Sequence, residues 1–169
     1  MAKTEKARFL TTGTAMGFPI MEQIDSFTPP VIEKMMTDLK GGRFAADEIM
    51  TGLEKLEFTL VLNGAPTVIK QSLGVAPGNP WMLDIREGGK DAQGETWFTN
   101  HICAGEIKRI EEADVKSGEL KKTTIRGKLH RYQTLENGVP VIHIDTRRQI
   151  VNLGGGDLME DIRRVLLLP

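Results

Sequence analysis

Tyr132-Gln-Thr-Leu-Glu-Asn-Gly-Val-Pro-Val-Ile-His-Ile-Asp-Thr146 decides the fold of this chain. Asn137 and Gly138 both accept positive φ, so the extended segments on either side of them turn back as a tight hairpin. The sequence predicts a long strand over residues 119–135 and a return strand over 139–145. Residues 147–153 read as a further extended stretch, and Gly154-Gly155-Gly156-Asp157 reads as a turn. Asp157 with Glu160 three residues later forms a capping-box pattern that predicts a helix to about residue 167. Leu158, Ile162, Val165 and Leu166 would share one face of it.

Upstream, Leu56, Phe58, Leu60 and Leu62 alternate with Lys55, Glu57, Thr59 and Val61, which predicts a strand over 53–62 with one buried face. Asn63-Gly64 ends it. Pro66 opens a short helix to about residue 73, with Gly74 just past its end. Residues 81–87 read as a strand, 88–94 as a turn, and 96–112 as a long strand bent near Ala104-Gly105. Residues 1–17 are irregular or a short first strand. Phe18 to Pro30 ends in a double proline that forces extended chain. Residues 31–40 form the next candidate strand, and 41–52 a long polar loop. The sum is seven or eight strands and two short helices: a mainly β (α+β) domain, a sandwich or half-barrel.

Bulk properties fit one domain spanning residues 1–169, long enough to bury a core. Its formal net charge of -1 argues against a free nucleic-acid binder, which needs an excess of Lys and Arg. The same near-neutrality makes packing many copies together cheap. Cys103 is the one cysteine, so no intrachain disulfide is possible. No apolar core follows the first eight residues as a signal peptide would require, and no apolar run is long enough to span a bilayer. The expectation is a chain made in the cytoplasm, with no membrane anchor.

Candidate chemistry is sparse. Gly154 to Asp157 before a helix suggests an anion cradle, but Asp157 would occupy the anion's place, and a turn with an N-cap is the plainer reading. His143 and Asp145 share a strand face and offer a possible metal ligand or base, without a third ligand nearby in sequence. Cys103, two residues from His101 on the same face, offers a nucleophile with a base, against a buried structural thiol. The basic residues Lys121, Lys122, Arg126, Lys128, Arg131, Arg147 and Arg148 have a single aromatic neighbour, Tyr132, and acidic residues such as Glu106 and Glu112 in the adjacent strand. Cross-strand charge pairs account for them more simply than a stacking platform for single strands. No cofactor or metal site emerges. The unusual feature is strand length: 96–112 and 119–135 far exceed the usual five or six residues, and their outward faces are polar. Such strands suit a sheet continued across copies or one lining a water-filled channel.

In order and length, these parts resemble the major tail tube protein of contractile-tailed bacteriophages. The tube proteins of R-type pyocins belong to the same family, and the type VI secretion tube protein is a fold relative. The extended Pro-containing segment corresponds to Phe18 through Pro30, the strand and Gly-rich loop to residues 31–52, and the strand before a short helix to 53–74. Two long strands follow, then the hairpin of residues 133–145 closing on Ile144-Asp145, and a Gly-Asp turn with a Leu-rich terminal helix, residues 156–168. Two departures are Thr146-Arg147-Arg148 after the Ile-Asp pair and the Leu-Leu-Leu-Pro ending.

The resemblance implies a non-enzymatic subunit of homohexameric rings stacked into a hollow tube inside a contractile sheath. Sheets from six copies would join into one inner β-barrel. The partners implied are other copies, the tail sheath protein, the tape measure protein, and the baseplate and tail terminator proteins, with DNA only in transit. The location implied is the virion tail, assembled in the host cytoplasm. The loop bearing Gly41, Gly42, Arg43, Phe44, Asp47, Glu48 and Gly52 would contact the neighbouring ring or subunit. The competing reading is a monomeric β-barrel that binds a small ligand against Leu56, Phe58, Leu60 and Leu62.

Overall fold

The computed structural model of the chain describes residues 5–72 and 80–168. Its described strands are β1 (Lys6–Ala15), β2 (Phe18–Pro19), β3 (Ile24–Thr28), β4 (Lys34–Leu39), β5 (Asp47–Leu53), β6 (Leu56–Asn63), β7 (Trp81–Asp91), β8 (Thr96–Glu112), β9 (Lys122–Glu136), β10 (Val139–Asp145) and β11 (Ile150–Asn152). Two short helices, α1 (Thr67–Gln71) and α2 (Glu160–Val165), and a 3-10 turn at Met21–Gln23 complete them. The fold is mainly β, as the sequence indicates.

One antiparallel sheet runs in the order β11-β10-β9-β8-β7-β1-β2, and β6 with β3 branches from β9. The branch point is a bulge. Ala104 of β8 lies opposite Arg131 and Gly105 opposite Leu129, so His130 has no counterpart. Across it the inward set of β9 changes from Thr123, Ile125 and Leu129 to Tyr132 and Thr134. The first half of β9 pairs with β6 and the second with β10, while β8 follows the opposite edge. Gly105 permits this, since a Cβ there would run into the Lys128 carbonyl. The bend expected near Ala104-Gly105 is therefore present, with the extra residue on the partner strand.

Bent at this point, the sheet folds over itself into a half-barrel. Leu56, Phe58, Leu60 and Leu62 of β6 are buried against Trp81, Leu83 and Ile85 of β7 and Ile125 of β9. Phe58 stacks on Trp81 with centroids 5.4 Å apart and planes 6° from parallel. Gly127, opposite Phe58 in the ladder, leaves room for that ring: a Cβ would lie 2.5 Å from its Cε1. Each fully buried side chain of this size contributes about 1.5–3 kcal/mol. The β6 face that a barrel-type ligand carrier would turn to its ligand is instead filled by side chains of the same chain.

Several element boundaries differ from the sequence reading. The polar loop expected over 41–52 is only its first part. Asp47–Leu53 is strand β5, paired with β4 in a separate two-stranded sheet. Backbone pairing and the Thr37–Thr51 hydroxyl contact at 3.2 Å build it, with only Leu53 at its base against the core and no buried face to leave a periodic signature. For the same reason Leu53 belongs to β5 and the next strand begins at Leu56. Gly88, Gly89 and Lys90, expected in a turn, continue β7 to Asp91. Gly89 is a close-approach position, where a Cβ would strike the Ala7 carbonyl. The turn is confined to the residues after it, with Asp91 Oδ1 accepting the N–H groups of Gln93 and Glu95 at 3.0 and 2.9 Å. Residues 1–17 contain the ten-residue β1. Thr146 to Gln149 form a turn inside the stretch expected to be extended, with Gln149 at φ 54°. The expected helix stop at residues 73 and 74 lies outside the described residues.

Candidate assembly surface

Large apolar residues stand in solvent at several places on the subunit, Phe9, Leu10 and Phe98 among them, and two regions carry them with no packing partner of their own. The first is the β4–β5 ribbon. Its register runs from Lys34 opposite Leu53 to Leu39 opposite Asp47, and it pairs with no other described strand. None of its strand residues is buried. Met35, Met36 and Ile49 are about half exposed, and Phe44 at the tip is fully exposed. The sequence-selected residues Gly41, Gly42, Arg43, Phe44, Asp47, Glu48 and Gly52 all fall on this ribbon or its tip. Gly42 takes φ +68° in the tip turn. Arg43 Nη1 donates to Asp47 Oδ2 at 2.7 Å, and Asp47 Oδ1 accepts the Glu48 N–H at 2.9 Å. Gly52 sits opposite Met35 near the base. A lone two-stranded hairpin is only marginally stable in water, so the subunit itself gives this ribbon little reason to exist.

The second region is the C-terminal helix. Asp157 does not cap α2 through a box with Glu160. The chain turns through Gly154 and Gly156 at φ +102° and +110°, which brings Asp157 against β11. Its Oδ1 accepts the N–H groups of Val151 and Met159, each at 3.0 Å, and its Oδ2 pairs with Arg163 Nη2 at 2.6 Å. Arg163 Nη1 also donates to the Gln149 carbonyl at 2.6 Å. Glu160 pairs instead with Arg164. Burial alone would raise the Asp157 pKa, but Arg163 and the two backbone donors outweigh it and hold the carboxyl below its ordinary value. A polar latch thus fixes α2, while Ile162, Val165 and Leu166 face solvent, with Val165 80% and Leu167 91% exposed. The helix is shorter than the sequence implies: Leu158 lies before it and Leu166 at its C-cap, so of the expected apolar face only Ile162 and Val165 are helical, and they are uncovered within the subunit.

The residues considered for chemistry do not form a reactive site. Asp145 Oδ1 accepts the N–H groups of Arg147 and Arg148, at 3.0 and 3.1 Å, and so closes the turn after β10. Among the described residues no cluster of His, Cys, Asp and Glu could hold a metal ion. Cys103 is fully buried, and burial, with a smaller contribution from Asp84, pushes its thiol up to about 12. His101 hydrogen-bonds through Nδ1 to the Tyr132 hydroxyl at 2.9 Å, and Phe27 lies against its ring. The pair is therefore core, and Cys103 has no route to a second copy of itself. Two basic residues of β9 are paired with carboxylates, Lys128 with Glu106 opposite it at 3.1 Å and Lys122 with Asp25 at 3.2 Å, whereas Arg126 lies opposite Arg109. Among the described residues, no helix is long and apolar enough to cross a membrane.

The family model of the phage tail tube protein FII matches residues 17–166. The chain belongs to that family. It is a structural subunit of a tail tube and a component of the virion tail, not an enzyme, and the sequence resemblance is borne out at this level. No curated protein sequence matches it. Solved structures share its fold at low identity. A chain of an extracellular contractile injection system, the PVC sheath–tube complex in its extended state, is 10% identical over 75% of this chain and 88% of its own, with a TM-score of 0.56. A chain of the PVC sheath/tube terminator is 11% identical over 75% and 94%, also at 0.56. A chain of the anti-feeding prophage tube-terminating cap is 12% identical over 80% and 93%, at 0.59.

The family resemblance, rather than any local pattern, pointed to residues 41–52 as a contact, Phe44 among them. It did not point to Met35, Met36 or Ile49, nor to the notch beside Gly88. Isolated Met and Ile residues in a short strand read no differently from core residues.

Proposed function

We propose that this tail tube subunit works as a single domain that closes into homohexameric rings, stacked into a hollow tube inside a contractile sheath. The observation that carries this reading is the β4–β5 ribbon, which exposes Met35, Met36, Phe44 and Ile49 and pairs with no other described strand of its own chain. Exposed apolar surface of this kind marks an interaction site. In a stack of identical subunits the ribbon, with Gly41, Gly42, Arg43, Phe44, Asp47, Glu48 and Gly52, makes the contact to the neighbouring ring or subunit. The long strands β8 and β9, of 17 and 15 residues, supply wall for an inner barrel shared by six copies.

The similarity to chains from a sheath–tube complex and from tube-ending assemblies supports partners of those kinds, a tail sheath protein outside and a terminator at one end; a baseplate protein takes the other end. The lumen houses the tape measure protein and then passes DNA. A net charge of -1 suits a channel that must not hold its cargo. Assembly takes place in the host cytoplasm.

Electron microscopy of the purified protein tests this. Rings or tubes of uniform diameter with sixfold end views are expected. A monodisperse monomer at high concentration, across salt conditions, would overturn the reading.

A further inference from the structure

The outward face of the main sheet contains a notch. Along β7, Arg86, Gly88 and Lys90 point to that face, because side chains alternate. The register puts Leu10 of β1 on one side of Gly88 and Phe98 of β8 on the other. Gly88 contributes no side chain, so Leu10 and Phe98, each about half exposed, stand as walls of an apolar trough with a cation beyond each end. Phe98 is pinned by the β9–β10 turn: its N–H donates to Asn137 Oδ1 at 3.0 Å and its carbonyl accepts the Asn137 N–H at 2.9 Å. Arg86 meets only Asp84, at 3.4 Å, and Lys90 makes no ion pair among the described residues.

The ribbon tip has the opposite relief, and with Arg43 paired to Asp47 its remaining charges are Lys40 against the two carboxylates of Asp38 and Glu48. Phe44 projects from it, and Asp38 lies directly opposite Glu48 in the ladder. Like charges directly opposed destabilise a strand pair, and neither carboxylate meets a cation among the described residues. A pair of opposed anions beside an exposed ring fits an apolar hole bounded by two cations.

We propose that Phe44 of one copy seats over Gly88 of another, between Leu10 and Phe98, with Asp38 and Glu48 meeting Arg86 and Lys90. The inference rests on the reading of the ribbon as a contact between copies and names the surface that receives it. An aromatic ring laid over a strand glycine replaces the missing side-chain packing, and a central aromatic anchor within a charged rim is the usual anatomy of a strong contact. Because knob and notch are different patches of one chain, the contact is heterologous. It propagates into rings or stacks rather than stopping at a dimer.

The A45C/T96C double variant, which keeps Phe44 and Phe98 and places its thiols beside them, tests the geometry. Assembled and mildly oxidised, it is expected to give a ladder of disulfide-linked oligomers that neither single variant gives; Cys103 is buried and stays out of the exchange. R86E/K90E is expected to raise the concentration needed for assembly by roughly tenfold or more, with an unchanged circular dichroism spectrum. Adding D38K/E48K to that chain is expected to restore assembly. Tubes without the ladder overturn the proposal, as does a reversal that the second reversal fails to rescue. A deletion of residues 43–51 separates the two levels. If it stops assembly while the notch variants have no effect, the ribbon docks elsewhere and only the notch is wrong. If it assembles normally, the ribbon reading falls and the notch with it.

Discussion

The core between β6 and β7 and the ribbon of β4 and β5 are both made of antiparallel strands with large apolar residues, yet they follow opposite logics. In the core, Phe58 and Trp81 stack and every inward residue of β6 is sealed. In the ribbon no residue is sealed, and methionines, an isoleucine and a phenylalanine stand in water. The first arrangement is complete within one chain. The second leaves its apolar side chains uncovered within the chain. Helix α2 repeats the lesson: a polar latch at Asp157 and Arg163 fixes its position, and its apolar face is left over for something else.

This contrast breaks at defined points. Trp81→Ala removes the ring that Phe58 stacks on and leaves a cavity, so a loss of about 3–5 kcal/mol in urea unfolding is expected. A cost below about 1 kcal/mol would mean that the two rings are not the centre of the core. Asp157→Ala removes the acceptor for two backbone N–H groups and Arg163, and a loss of about 0.5–2 kcal/mol is expected, typical of a lost cap. The pH dependence has a definite sign. A carboxyl whose pKa is lowered by folding stabilises the fold above its ordinary pKa, and that contribution is lost as pH falls through the folded value. The stability gap between wild type and Asp157→Asn is therefore expected to be full at neutral pH and to close in the acid range below about pH 4. A gap that widens on acidification would contradict the latch. Smallest for stability is the pair Ile162→Ser and Leu166→Ser on the open side of α2 and its C-cap. Each is expected to change subunit stability by less than about 0.5 kcal/mol, as exposed substitutions do. A loss of several kcal/mol would show that α2 packs onto its own subunit.

What the sequence made legible follows the same division. Strands with a buried face announced themselves: β8 and β10 have the bounds that alternation and the Asn137-Gly138 turn imply, with Asn137 and Gly138 at φ 48° and 82°. Where burial gives no period, reading failed. Asp47–Leu53 looked like loop because neither face is buried. Gly88 and Gly89 looked like a turn because glycine usually marks one. Here Gly89 lets the β1 backbone approach, and Gly88 leaves a gap in the outward face. The helix face of Ile162 and Val165 was visible, but whether the subunit covers it was not, since periodicity records a shared direction and not what lies there. The candidate contact loop was thus reached through the family resemblance rather than through the ribbon's apolar side chains.

The central claim is that the core folds the subunit and the ribbon completes itself only between copies. Hydrogen exchange of the same protein as free subunit and as assembled tube measures this most directly. Amides of β6, β7 and β9 are expected to be protected in both forms, and those of β4 and β5 to exchange readily in the free subunit and become protected in the tube. Ribbon amides that exchange equally fast in both forms would contradict the claim.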